Sequence, residues 1–357
     1  MFAYLGLFGY FAGGALMYGT RPIAMRRGLM LTSAVILIVL IGLRWRIGTD
    51  WGVYELLLQS AALAGTGYAN VTSEPGYNLL NAIAFNLGWG LWFPNVICAM
   101  IFTYGLLAFA REQPNPWLAL VVATPYLIIG VAMGYTRQSA AVGFIMIALV
   151  QFSRGKSFNV FLCVGLASMF HISAIIMAPV FALASARRAV VTGIIFVLFG
   201  FLLYFAFSER IEGRISEYST ILYAATGAVP RLVMDVIAAV VFLPWRRRFA
   251  ASPDEVRLWT MISLMSFLAL TMVFFIASTT IVDRLGIFLV PLQMFVMSRV
   301  PFVFSHGNRA NMALLIGIIL YSLAAETVWL YFGVEAKWYW IPYKNFLWET
   351  WFASGPG

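Results

Sequence analysis

Arginines, carboxylates and a histidine recur along a chain otherwise made of apolar runs. They are Arg44, Arg46, Asp50, Glu74, Arg137, Gln138, His171, Glu209, Arg210, Arg214, Asp283, Arg284, Lys337 and Lys344. A planar guanidinium fork matches phosphate oxygens two at a time. A carboxylate or imidazole within reach takes a proton from a sugar hydroxyl. These residue types suit glycosyl transfer from a lipid with a pyrophosphate head, the arginines stabilising charge on the leaving group. Arg137 and Arg284 are the first choices for binding that pyrophosphate, and Arg44 the next. Asp50, Glu74 and His171 are the candidates for the base. Asp50 is favoured, because a carboxylate beside arginines stays ionised at neutral pH. Trp51, Tyr54, Tyr77 and Asn81 are expected to line the sugar groove, and Arg46, Gln138, Asp283, Tyr343 and Lys344 to add substrate contacts.

Each residue also has a plainer role. Arg44 and Arg46 suit snorkelling at a helix end. Asp50 suits an N-cap for a helix over 51–63. Glu74-Pro-Gly-Tyr77 suits a turn. His171, between Phe170 and Ile172, suits a packing histidine, and Asp283-Arg284 a local ion pair. Lys344 and the nearby tryptophans suit interface anchors. The stretch Glu209–Glu217 suits a solvated face. Arg137 is different: it opens an apolar helix, where the dipole disfavours a cation. No metal site is specified and no soluble cofactor is expected. An oxygen-ligated cation at Asp50, Glu74 or Asp283 stays open.

The elements that position these residues follow from composition. Of 357 residues, 62% are hydrophobic and 10% charged, and mean hydropathy is +0.89. Soluble domains are roughly 45–50% apolar. The apolar runs are continuous rather than alternating, which excludes a barrel. The fold class is therefore an all-α polytopic membrane protein, with residues 1–357 forming one integral membrane domain. Spans are expected at 2–18, 29–43, 93–110, 116–133, 138–152, 158–170, 172–186, 189–207, 230–245, 258–277, 285–300 and 311–332. That is about 10–12 transmembrane helices, several shorter than the roughly 20 residues of a perpendicular span. The first run is read as a retained helix rather than a signal peptide.

Alternating sides from an outer N-terminus places 14 of the 23 Lys+Arg but only 3 of the 14 Asp+Glu on the inner side. That bias matches the positive-inside rule, supports two short helices meeting at His171 over one long helix across 158–186, and explains the net charge of +9 without nucleic acid. The outer segments are then 44–92 and 208–229. In the first, a helix with Leu79, Leu80, Ile83 and Leu87 on one face and Asn78, Asn81 and Asn86 elsewhere suits the membrane interface.

Ordered motifs carry a resemblance. They are Arg44-x-x-x-Gly48-Thr49-Asp50-Trp51-x-x-Tyr54, Glu74-Pro75-Gly76-Tyr77-x-Leu-Leu-Asn81, Arg137-Gln138-x-x-Ala141, Phe170-His171-x-Ser173-Ala174, Asp283-Arg284-Leu285 and Ile341-Pro342-Tyr343-Lys344. In these the chain resembles the EpsG family of bacterial exopolysaccharide synthesis, regarded as Wzy-like polymerases. Trp51 stands where the family usually has tyrosine. The resemblance implies a GT-C/Wzy-like membrane enzyme of the bacterial inner membrane, facing the periplasm or outside. It would polymerise undecaprenyl-pyrophosphate-linked oligosaccharide repeat units, alongside flippase and chain-length regulator proteins. The alternatives are a glycan ligase using the same donor, a flippase or transporter of lipid-linked oligosaccharide, and a membrane O-acetyltransferase. A flippase predicts charges on both sides and repeated halves, which the sequence lacks. An acetyltransferase needs its histidine reachable from the cytoplasm, and His171 is expected outside.

Overall fold

The computed structural model describes residues 1–20, 23–63, 74–185, 227–249, 252–275, 279–305 and 310–353. The expected span 189–207, the stretch with Glu209, Arg210 and Arg214, and Arg187, Arg188, His306 and Arg309 lie outside these residues. The described chain is helical, with one isolated antiparallel bridge. Its helices are α1 (Phe2–Met17), α2 (Ile23–Gly42), α3 (Trp51–Leu63), α4 (Pro75–Asn86), α5 (Trp92–Arg111), α6 (Pro116–Ala123), α7 (Thr136–Ser153), α8 (Ser157–Phe170), α9 (Met177–Ser185), α10 (Ala228–Trp245), α11 (Pro253–Met272), α12 (Thr279–Gly286), α13 (Pro291–Val303), α14 (Met312–Phe332), α15 (Val334–Tyr339) and α16 (Phe346–Ala353).

Helix is what these runs must form, because lipid offers no partner to backbone N–H and C=O. The ends follow local chemistry. Proline opens α4, α6, α11 and α13, where a missing N–H costs nothing. Asn115 and Asn311 cap α6 and α14 through their side chains, and Ser252 and Glu255 form a capping box on α11. Among the described residues, α5, α10, α11 and α14 are long and apolar enough to cross a membrane. The bent pair of α12 and α13, at 43°, makes a fifth. Shorter apolar helices include α1, most of α2, α8, and α6 with its continuation to Ala132. The protein is an all-α polytopic membrane protein.

The helices that carry the site meet at small residues. A Cβ on Gly105 of α5 would stand 2.0 Å from the Gly143 carbonyl oxygen of α7. The two backbones therefore touch, the close approach that small residues allow between membrane helices. A Cβ on Gly42 of α2 would likewise stand 2.8 Å from the Val96 Cα of α5. Beyond α6 the chain continues as a π-helical stretch, Thr124–Ala132, buried throughout.

Two features depart from simple hydropathy reading. The polar face of α4 points inward: Tyr77, Asn78 and Asn81 are buried, while Leu79 and Leu87 are more than half exposed. The outward leucines are what an interfacial helix offers to lipid. The C-terminal motif is also not only an anchor. Segment 339–346 pairs with 43–48 through Trp45 N–H to the Lys344 carbonyl (3.0 Å), Gly48 N–H to Tyr339 (3.1 Å) and Phe346 N–H to Leu43 (2.6 Å). Trp340 is 1% exposed and donates to the Ile129 carbonyl at 2.9 Å, so it belongs to the core.

Candidate active site

The site begins where a helix is forced to stop. α8 ends at Phe170, and His171 is extended (φ −152°, ψ 115°), the break that the charge count favours over one long helix. Glu74 is also non-helical (φ −122°, ψ 84°), as expected of a residue before proline. Gly76 lets the first turn of α4 lie against the end of α8: a Cβ there would meet the Met169 carbonyl and the Phe170 ring at 3.1 Å. Glu74 Oε1 therefore reaches His171 Nδ1 at 2.6 Å, and Oε2 pairs with Arg137 Nη1 at the start of α7. Three separate elements thus converge on one carboxylate whose side chain is 2% exposed. The Arg137 guanidinium lies over the rings of Tyr54 and Tyr77, 5.7 and 6.0 Å from their centroids.

Electrostatics assign the protons. Burial alone would raise the Glu74 carboxyl, but its hydrogen bond to His171 and the Arg137 charge outweigh burial and hold it below its ordinary value. Glu74 is a carboxylate. His171, lying between the two expected spans, is lowered: burial dominates, the Glu74 contacts oppose it, and the Arg137 and Arg284 charges add to it. The imidazole is therefore neutral near pH 7. With Nδ1–H donated to Glu74, the lone pair of Nε2 faces away from that carboxylate. This is the geometry of an oriented general base.

A second charged pair adjoins the first. Gln138 Nε2 donates to the Arg284 carbonyl at 2.5 Å, joining the start of α7 to the end of α12. Beside it, Asp283 accepts from Arg231 twice, Nε at 2.8 Å and Nη2 at 2.7 Å. The Arg231 guanidinium lies 5.3 Å from the Tyr126 ring on the π-helical stretch, a form frequent at functional sites. Arg231 was not among the residues singled out by sequence. Its signal was present, because it opens α10 as Arg137 opens α7, against the helix dipole.

The family model described as the EpsG family matches residues 28–345. The chain belongs to the EpsG family. Its quoted motifs, from Arg44 to Lys344, all fall inside that span. Membership supports a role in exopolysaccharide biosynthesis and an enzymatic, glycosyltransferase-like activity. No curated protein and no solved structure matches the chain.

The remaining motif residues of this EpsG chain divide between the site and its frame. Arg44 is 1% exposed and donates to the Ile41 carbonyl (2.7 Å), the Ile47 carbonyl (3.4 Å) and Thr136 Oγ1 (2.5 Å). Its fork is used on the protein, next to Arg137, rather than left for a phosphate. Tyr343 donates to the Leu40 carbonyl and accepts from Asn345, again within the paired segments. Lys344 is exposed, as is Arg46, which has φ 52° and lies over Trp45. Asp50 is half-buried; its carbonyl accepts from Tyr54 N–H to begin α3, and its Oδ1 accepts from Thr49 at 3.4 Å. Trp51 donates to Glu55 at 2.9 Å. Tyr54 and Tyr77 pack with ring centroids 5.6 Å apart. Burial, then the Asp50 charge, pushes Tyr54 up to about 12, so it stays a phenol. The Tyr77 hydroxyl and Asn81 Oδ1 are buried with no hydrogen-bond partner among the described residues. Such atoms are costly unless a hydroxylated ligand or water meets them.

Proposed function

We propose that the chain is a polysaccharide polymerase, joining undecaprenyl-pyrophosphate-linked oligosaccharide repeat units on the extracytoplasmic side of the bacterial inner membrane, in a GT-C/Wzy-like manner. The observation that carries this reading is the convergence of Arg137, Glu74 and His171, with the Arg284 charge bearing on the imidazole. Membership of the EpsG family supports the pathway.

In this reading an acceptor sugar hydroxyl lies at His171 Nε2. Glu74 holds Nδ1–H, fixes the tautomer and stabilises the imidazolium that forms. The hydroxyl proton moves to Nε2, and the hydroxyl oxygen bonds to the donor's anomeric carbon. The bond from that carbon to the diphosphate breaks, its electron pair leaving on the diphosphate. Arg137 and Arg284 stabilise that charge. His171 replaces Asp50 as the preferred base, because a carboxylate orients it, whereas Asp50 meets the Thr49 hydroxyl. Tyr54 and Tyr77 pack under the Arg137 guanidinium and position it, while the unpartnered Tyr77 hydroxyl and Asn81 Oδ1 are the polar atoms left to serve a sugar that enters the site. A flippase that delivers the repeat unit and a chain-length regulator are the expected partners.

The test is reconstitution with a purified lipid-linked repeat unit, reading product length on a gel. Wild type gives a ladder. Arg137→Ala and Arg284→Ala leave single repeat units at unchanged protein level. A one-step shift would indicate a ligase, and long polymer from both variants overturns the reading.

A further inference from the structure

An apolar hollow of about 230 Å³ opens between α8 and the turn Ile172–Ile176 with the start of α9. Phe161, Gly165 and Ser168 line it from one side, and Ile175, Ala178 and Pro179 from the other. Ser168 adds no free polar atom, because its hydroxyl donates to the Val164 carbonyl at 2.9 Å. A Cβ on Gly165 would meet nothing within 4 Å, so the floor is open there. Phe161 and Leu162 are about half exposed and Phe158 more so, which continues the apolar surface along α8.

Position gives this hollow its meaning. Ser168 precedes His171 by three residues, roughly 5 Å along the helix axis. Ile175 follows on the other side of the same break. The hollow therefore begins about one helical turn from the Glu74–His171–Arg137 contact. An apolar hollow whose lining on both α8 and the following turn comes within four residues of His171, itself joined through Glu74 to Arg137, fits an amphiphile with an anionic head and a hydrocarbon tail.

We infer that this hollow holds the isoprenoid segment next to the diphosphate of the lipid carrier. The inference rests on the polymerase reading for the identity of that carrier. The volume falls below the roughly 300–1,000 Å³ of a ligand-enclosing pocket. It registers the first units of the tail and leaves the rest in the bilayer. Leaving lipid for this surface gains no hydrophobic energy, since lipid tails are equally apolar. The gain is shape: a seated tail fixes the depth and direction from which the diphosphate meets Arg137.

Two measurements test this independently. A benzophenone amino acid replaces Phe161 in the full chain in proteoliposomes, with radiolabelled undecaprenyl phosphate as probe. The protein takes up label, and unlabelled undecaprenyl phosphate displaces it while dioleoyl phosphatidic acid does not. Equal displacement by phosphatidic acid, absence of label, or capture of the chain's own residues 189–207 instead of the probe overturns the inference. This arm needs no turnover, so it stands even if the polymerase reading fails. In the kinetic arm, Gly165→Leu raises KM for the full-length donor about three- to tenfold, a packing-sized effect. KM for a donor analogue with a methyl group in place of the isoprenoid tail stays the same. Phe161→Trp serves as the second filling variant should Gly165→Leu not accumulate. An equal rise for both donors would make the hollow part of general stability and end the proposal.

Discussion

At the residue scale, Glu74 is the most consequential side chain. It neutralises Arg137 and orients His171, and one carboxylate can do both only because it has two oxygens. Glu74→Gln keeps the shape but leaves one acceptor oxygen and no charge. Activity should fall about 10²–10⁴-fold, the range for losing general base catalysis. The pH profile separates this role from a structural one. His171 acts as a base when neutral and lies below the ordinary 6.5, so the wild-type rate is flat near pH 7 and falls in acid through the His171 value. The carboxylate raises that value, so its loss moves the acid limb to lower pH. An unmoved limb with a lowered melting temperature would make Glu74 a packing residue. Arg137, Glu74 and His171 were each legible in the sequence. Their mutual contact was not, because it joins elements whose spacing along the chain carries no sign of their spatial meeting. Arg44 shows the converse: a motif arginine read as a phosphate ligand is spent on two carbonyls and a threonine.

At the element scale, helix positions followed hydropathy closely, since in lipid a long apolar run has little alternative to helix. Which face of α4 turned inward did not follow. In water apolar residues go inside; at a membrane the outer surface is apolar too, so Leu79 faces out and Asn81 faces in. Nor did composition reveal the π-helical stretch that carries Tyr126 under Arg231, because its residues are as apolar as those of α6. What holds Arg137 in place is the contact of α5 with α7. A Cβ on Gly143 would stand 2.8 Å from the Ile101 carbonyl oxygen and the Phe102 Cα, both backbone atoms that cannot yield separately. Gly143→Leu should therefore cost about 3 kcal/mol, the upper end for overpacking. Melting of the detergent-solubilised protein, with Gly165→Ala as the open-space control, checks it. Equal melting temperatures for the two variants would mean the helices separate freely.

At the scale of the whole molecule, α7 is the ruler between two chemically different ends. It starts at Thr136, next to Arg137, and ends beside Arg154, about 25 Å from Arg137 at 1.5 Å per residue. At the far end Arg154 pairs with Glu112 at 2.5 Å, Arg299 contacts Gln113, and Arg257 donates to the Ala184 carbonyl at 3.0 Å. That end is the basic one, which the charge bias assigns to the cytoplasm. The paired segments 43–48 and 339–346 belong to the Arg137 end, because Arg44 donates to Thr136. This arrangement predicts how single cysteines label in intact cells. Native Cys98 and Cys163 are buried, so background is low. Lys337→Cys, exposed on α15 next to the paired segment, should react with a membrane-impermeant maleimide from outside. Lys156→Cys, exposed just past α7, should react only after the membrane is opened. The outcome bears directly on the chemistry. A donor activated as lipid pyrophosphate is required where nucleotide sugars are absent, that is, outside. Reversed labelling would set Arg137, Glu74 and His171 in the cytoplasm, where a nucleotide sugar could serve as donor, and the reason for a lipid diphosphate at those arginines would be gone.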